Sequence, residues 1–303
     1  MEIKIAREIG YCYGVRDAVD MAIEESERAR GGKVFTLGPI IHNPDTIEML
    51  ENRYSVHAVD AVDQIDRPGA TVVIRTHGTT AEKAKGLSDA GFDVKDATCP
   101  FVLKTQRKAR EFAAEGYHIV ILGHKKHPEL IGIAGHVPPD QVTIVDTRED
   151  LANLKRQLKI VVLFQSTVTY DDYAWAIAGI GAKCYEMRVL QTVCGVTITR
   201  QKRVDEVARE VELMIVIGGK NSSNTKKLVD VSRKYARTVH IEDPEEIEAI
   251  DFAGVKSVGI GTGTSTPDFL VDRVVGRLKA KAGLPAGAPA KAGEATATSP
   301  PSR

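Results

Sequence analysis

The chain has no excess of charge, no long apolar run and few cysteines, and each shortage narrows what it can do. Lysine plus arginine and aspartate plus glutamate both number 41. A chain without net charge has no general electrostatic pull on a phosphate backbone, so bulk DNA or RNA binding is not expected. No window approaches the ~18 consecutive apolar residues that a membrane-spanning helix needs. The opening Met-Glu-Ile-Lys-Ile-Ala-Arg lacks the apolar segment of a secretion signal and the Ser- and Arg-rich character of an import leader, so a cytoplasmic location is expected.

Two common phosphate loops are also missing. A Walker pattern ending at Gly219-Lys220 would need glycine at 214, where Met214 stands, and Gly259-Ile260-Gly261-Thr262-Gly263 runs on into Thr264 instead of completing G-x-G-x-x-G. The only cysteines are Cys12, Cys99, Cys184 and Cys194. A reducing compartment argues against a disulfide framework, and the scattered spacing differs from the Cys-x-x-Cys pairs of zinc ribbons.

What is present is an ordinary globular composition, 43% apolar and 27% charged over 303 residues. That length predicts two or three domains. Continuous apolar runs at 72–74, 119–122, 160–164 and 214–217 read as strands buried on both faces, as in parallel sheets. Between the runs lie helical stripes: Val15, Ala18, Val19 and Ala22 in one, Val204, Val207 and Ala208 in another. Strand–helix alternation of this kind predicts an α/β protein. No sequence repeat of fixed period is visible, although the strand–helix unit recurs. Residues 283–303, rich in Ala, Gly, Pro and Ser, have little to bury and read as a disordered tail.

The chemistry concentrates at the strand-to-helix turns. Eight of them carry Cys, His, Ser, Thr, Asn or Glu, which predicts one shared site fed by several sheets. Cys12 lies in Gly10-Tyr11-Cys12-Tyr13-Gly14, Cys99 in Thr98-Cys99-Pro100 and Cys194 in Val193-Cys194-Gly195. In each case a strand end opens into a helix, where the N-terminus favours a thiolate. Cys184 lacks this setting and reads as a structural or surface residue. Three thiolates from distant segments suit a 4Fe–4S cluster with one iron left open to a substrate oxygen. Zinc held by Cys₃ plus a histidine competes with that reading.

Taken in order, the motifs carry a family resemblance. They are Gly-Tyr-Cys-Tyr-Gly-Val at 10–15, Leu-Gly-Pro-Ile-Ile-His-Asn at 37–43, His77-Gly78, Asp-Ala-Thr-Cys-Pro at 96–100 and His127-Pro128-Glu129. Further along come Cys194 with Thr197 and Arg200-Gln201, Lys-Asn-Ser-Ser-Asn at 220–224, and Ser265-Thr266-Pro267. On this set the chain, from residue 1 to about 282, resembles the 4-hydroxy-3-methylbut-2-enyl diphosphate reductases. It departs from their usual pattern at Gln191, Val196 and Ser166-Thr167; none of these removes a cysteine, but outer groups tune a cluster.

The resemblance implies three small α/β domains with mainly parallel sheets around a central cluster. On this chain they are 14–99, 100–194 and 195–282, with 1–13 joining the third. It also implies one 4Fe–4S cluster per subunit on Cys12, Cys99 and Cys194, and a two-electron reductive dehydroxylation giving isopentenyl and dimethylallyl diphosphate. Hydroxyl and amide donors at turns, Ser222, Ser223, Asn224 and Ser265, are expected to meet the diphosphate, although each could serve merely as a helix cap. His42, His77 and His127 are expected to meet the diphosphate and the alcohol. Glu129, enclosed with an anionic ligand, is the expected proton donor, with Thr167 also binding substrate and relaying the proton. His57, His118 and His240 lack the setting and are set aside, as are His124 and His136. With no flavin or nicotinamide motif, electrons are expected from a ferredoxin or flavodoxin. The rivals are a quinolinate-synthase-like dehydratase on a three-cysteine cluster, and a zinc or RNA-binding module.

Overall fold

The computed structural model describes residues 1–283 apart from 31, 66 and 68, together with the backbone of 291–292. Among the described residues thirteen strands and ten α-helices follow one another along the chain. In the first third, β1 (Glu2–Ile5), α1 (Tyr13–Arg28), β2 (Val34–Leu37), α2 (Pro44–Tyr54), β3 (Val56–Val59), β4 (Thr71–Ile74), α3 (Ala81–Asp89) and β5 (Asp93–Asp96) follow one another. Next come α4 (Pro100–Ala114), β6 (His118–Leu122), α5 (Pro128–Ala134), β7 (Val142–Val145), α6 (Arg148–Asn153), β8 (Gln157–Phe164), α7 (Tyr170–Gly181) and β9 (Cys184–Val189). The last third holds α8 (Gly195–Ala208), β10 (Leu213–Ile217), α9 (Ser223–Ser232), β11 (Arg237–Ile241), β12 (Ser257–Thr262), α10 (Asp268–Lys281) and the two-residue β13 (Lys291–Ala292).

These strands make three wholly parallel sheets, ordered β3-β2-β4-β5, β7-β6-β8-β9 and β11-β10-β12-β1-β13. The apolar runs read as doubly buried strands are so: every residue of β6 and β10 is buried, and the last five of β8. Each buried Ile, Leu or Val removes roughly 1.5–3 kcal/mol of apolar surface from water. The two helical stripes predicted from spacing are buried too, in α1 and α8.

One plan recurs. In each sheet the first strand of the group lies second in spatial order, its successor lies outside it, and the third and fourth strands follow on the other side. In the third sheet the fourth place is filled by the start of the chain: β1 lies beside β12, Glu2 opposite Ser257. The order reverses between the first and third strands of each group, and such reversal points leave a crevice at the carboxyl ends of strands where ligands bind. The turns after β2 and β4 carry His42 and His77. Those after β6 and β8 carry His127, Glu129 and Ser166-Thr167, and those after β10 and β12 carry Ser222–Asn224 and Ser265. The turns after the fourth strands, β5, β9 and β1, carry Cys99, Cys194 and Cys12.

The chain divides into two compact units, Cys12–Ile198 and Met1–Tyr11 with the chain from Thr199 on. The first two sheets belong to the former and the third to the latter. Of the expected tail, only Gly283 and the Lys291–Ala292 strand are described, the strand lying parallel beside Lys4–Ile5; the rest of that expectation falls outside the described residues. Among the described residues no helix is long and apolar enough to cross a membrane.

Candidate active site

Cys12, Cys99 and Cys194 occupy equivalent positions at helix starts. The carbonyl of each accepts the first intrahelical N–H: Cys12 O from Arg16 at 2.9 Å, Cys99 O from Leu103 at 3.0 Å and Cys194 O from Ile198 at 3.0 Å. None of the three is exposed and none is in a disulfide. Burial pushes the Cys99 thiol up to about 11, although the Phe101 and Val102 amides at its helix start favour the thiolate. Cys12 and Cys194 lie within electrostatic reach and add to the rise. The Tyr13 hydroxyl is raised as well, by burial first and then by all three cysteines. The three cysteines thus lie within electrostatic reach of one another in the Cys12–Ile198 unit. Gly14 leaves room beside Cys99: a Cβ at position 14 would stand 2.6 Å from Cys99 Sγ.

Three cysteine sulfurs are a donor set that an iron–sulfur cluster takes. Among the described residues one trio, His42, His77 and His127, has ligand atoms within 4.8 Å of one another. Cys184 is elsewhere: it opens β9, its Sγ donates to Ile180 O at 3.4 Å, and it packs on the second sheet's core.

The three histidines come from three turns of the same unit. Ring centroids lie 4.6 Å apart for His42–His77, 5.2 Å for His77–His127 and 5.9 Å for His42–His127. His127 is the N-cap of α5, its Nδ1 accepting the Glu129 amide at 3.2 Å, so a neutral ring carries its proton on Nε2. Burial holds all three rings neutral. It lowers His42, with Arg75 adding; it drives His77 well down, with His42, His127 and Arg75 adding; and it brings His127 down to about 3. Arg75 is itself lowered by burial. His77 Nδ1 and Asn43 Nδ2 are buried without a hydrogen-bond partner, while Asn43 Oδ1 caps α2 by accepting Thr46 N at 2.9 Å. Three rings, a guanidinium and an idle amide donor form a pocket that an anion would satisfy.

Glu129 lies in the first turn of α5, 2% exposed. Its Oε1 accepts the Ser166 amide at 2.7 Å and its Oε2 the Ser166 hydroxyl at 2.6 Å. Burial raises its pKa, and these two donors, which favour the carboxylate, offset the rise only in part. Thr167 Oγ1 accepts Gln165 Nε2 at 3.0 Å, and Gln165 Oε1 accepts the His124 amide at 2.9 Å.

In the other unit, Ser222 caps α9 by accepting Thr225 N at 3.3 Å. Asn224, 2% exposed, has both side-chain heteroatoms unpartnered. Ser265 is 6% exposed and Ser223 is half-buried. The crevice end is laced shut, the Gly263 amide and the Thr266 hydroxyl both donating to Ile217 O, at 2.8 and 2.9 Å. Buried Arg200 donates through Nη1 to the carbonyls of Gly10, Thr262 and Gly263 at 2.8–3.1 Å, fixing the turn ahead of Cys12.

The family is now decidable. The family model described as LytB protein matches residues 3–279. The chain belongs to the LytB protein family. LytB relatives named 4-hydroxy-3-methylbut-2-enyl diphosphate reductase include that of Nautilia profundicola, 38% identical, covering 92% of this chain and 99% of the relative. That of Geobacter sulfurreducens is 39% identical, covering 92% and 97%. A solved structure of (E)-4-hydroxy-3-methyl-but-2-enyl diphosphate reductase, the terminal enzyme of the non-mevalonate pathway, is 37% identical with a TM-score of 0.71, covering 92% of this chain and 100% of that one. The Plasmodium falciparum reductase structure, 24% identical with a TM-score of 0.83, shares the fold. By family this LytB chain is an oxidoreductase.

Arg75, Asn43, Ser166 and Gln165 were not singled out for the site from sequence. Asn43 and Arg75 each had a signal, one being the residue after a motif histidine and the other a cation two residues before His77. Ser166 looked like a departure from the family pattern; it is the residue that holds Glu129.

Proposed function

We propose that the chain reduces (E)-4-hydroxy-3-methylbut-2-enyl diphosphate to isopentenyl and dimethylallyl diphosphate. The balance is an allylic alcohol plus two electrons and two protons giving the hydrocarbon end and water. The observation that carries the reading is the three cysteines at three helix starts, within electrostatic reach of one another, with Gly14 leaving room beside Cys99. That donor set fits a 4Fe–4S cluster, one per chain, with three thiolates of the usual four. When bound, such a cluster would supply the electrons and a Lewis-acidic iron near the alcohol.

The chain's own residues do the rest. His42, His77, His127 and Arg75 hold the anionic end and the alcohol, the neutral rings taking up protons as the diphosphate approaches. Ser222, Ser223, Asn224 and Ser265 donate to the diphosphate from helix starts. Glu129, its pKa raised by burial, keeps a proton for the departing oxygen and is oriented by Ser166. Thr167 passes that proton on, and protonation at either end of the allyl group gives two products. A ferredoxin or flavodoxin in the cytoplasm supplies the electrons. We further propose that each sheet with its helices is one domain, 14–99, 100–194 and 195–282 with 1–13.

Anaerobic purification, iron and sulfide analysis, and turnover of the allylic diphosphate with dithionite test the reading together. About four irons per chain and both isoprenyl products are expected. A colourless protein with zinc would overturn it, and so would an iron protein that leaves the allylic alcohol intact.

A further inference from the structure

The mechanism leaves one charged surface unused. Along α4, from Pro100 to Arg110, there is no carboxylate, while Lys104, Arg107, Lys108 and Arg110 supply four cations. Lys108 pairs with Glu111 at 2.7 Å, and Arg107 approaches the same carboxylate at 3.9 Å. Lys104 and Arg110 have no ion pair among the described residues, and both are exposed. Beside this ridge lies a cavity of about 280 Å³, walled by Phe101, Lys104 and Lys108 of α4 and by Val189, Leu190 and Gln191. Its lining carries one apolar side chain in water, Val189, 39% exposed, beside half-buried Phe101 and Leu190.

Two of the three cysteine turns border this surface. Helix α4 begins at the residue after Cys99, and the 189–192 wall leads into Cys194. At ~1.5 Å of rise per residue, Lys104 is only ~8 Å along the helix from Cys99. An apolar centre with a cationic rim is the anatomy of a weak, steered protein interface, and small redox complexes sit at the low end of interface size. We propose that this face, the ridge of α4 with the 189–192 segment, is where a small acidic electron-carrier protein docks. The inference rests on the reductase reading. The cations draw the carrier's carboxylates, and Val189 with Phe101 and Leu190 seats its apolar patch. Electrons then enter beside Cys99 and Cys194.

The test uses an acidic ferredoxin as probe. Its dissociation constant is measured against the wild-type protein and K104E/K108E at low and moderate salt, and turnover is driven in parallel by reduced ferredoxin and by dithionite. For K104E/K108E a dissociation constant raised about tenfold is expected. Ferredoxin-driven turnover falls with it, while dithionite-driven turnover stays within about twofold. Wild-type affinity should weaken with salt, since rim charges are screened, and K104R/K108R should bind like wild type. Unchanged affinity and ferredoxin-driven turnover in K104E/K108E would overturn the proposal. Equal losses with both reductants would do so too, as would an oligonucleotide binding the face as tightly as the ferredoxin. Failure of the reductase reading looks different: wild-type protein would then give no product with dithionite.

Discussion

The His42–His77–His127 cluster and Glu129 lie in the same compact unit, and one force drives them to opposite ends of the titration scale. Burial penalises charge of either sign, so it lowers the three imidazoles and raises the carboxyl. Both sets are therefore neutral-leaning before any ligand arrives. On the proposed reading an incoming diphosphate breaks the symmetry: it favours protonation of the rings, which would then hold it, and it favours the protonated carboxyl, which would then have something to give. The same environment would make one set a binding device and the other a proton store.

Removing the store is the harshest way to test that contrast. Glu129→Gln should lower kcat by about 10²–10⁴-fold while KM stays within a few-fold and iron content is unchanged. A variant with wild-type turnover would leave Glu129 as a structural carboxyl and nothing more. Removing a ring should act on the other axis. His77→Ala or His127→Ala should raise KM by roughly 10- to 100-fold, the cost of a hydrogen bond to a charged group, with a smaller effect on kcat; steady-state kinetics with the allylic diphosphate separate the two.

Gentler still is Ser166→Ala. It removes the hydroxyl donor to Glu129 Oε2 but leaves the amide donor to Oε1. The lost bond favoured the carboxylate, so the alkaline limb of the pH–rate profile should move up, by an amount worth about 1 kcal/mol. A downward move would mean the hydroxyl holds the acid form.

The last effect is on stability without ligand. The His127 folded value near 3 is below its unfolded value of about 6.5, so its contribution is complete above 6.5 and is lost as pH falls toward 3. His42 and His77 carry the same sign. Glu129 is opposite: its contribution is complete below the unfolded carboxyl value and fades as pH rises through the folded one. Thermal melts should fall on acidification below 6.5 at up to about 1.4 kcal/mol per pH unit per histidine, and an H127N variant should flatten that slope.

Much of this was legible in the chain because it depends on local chemistry. Buried parallel strands announce themselves as unbroken Val/Ile/Leu runs, and Cys12, Cys99 and Cys194 share a turn-to-helix setting that Cys184 lacks. The triplication of the sheet plan was not legible. Each sheet uses the same strand order and the same places for its chemistry, but the residues there differ: histidines after β2 and β4, His127, Glu129 and Ser166 after β6 and β8, hydroxyls and amides after β10 and β12. Topology repeats where sequence does not, because strand order is set by burial and crossover geometry and not by side-chain identity at the turns. Arg75 and Ser166 were missed for a related reason. Their partners, the histidine rings and the Glu129 carboxylate, come from other turns, and only folding brings them into register.

The borrowed strand in the third sheet sets a timetable. The strand at Glu2 finds its partner only at Ser257, roughly 250 residues further along the chain, which at ~5–20 residues per second is ~10–50 s of synthesis. Cys12 itself stands at the start of α1 and belongs to the Cys12–Ile198 unit with Cys99 and Cys194, so its place does not depend on that pairing. The three thiol positions are therefore all made before the segment at Ser257, and what waits longest is the pairing of β1 in the third sheet, not the unit that holds the cysteines.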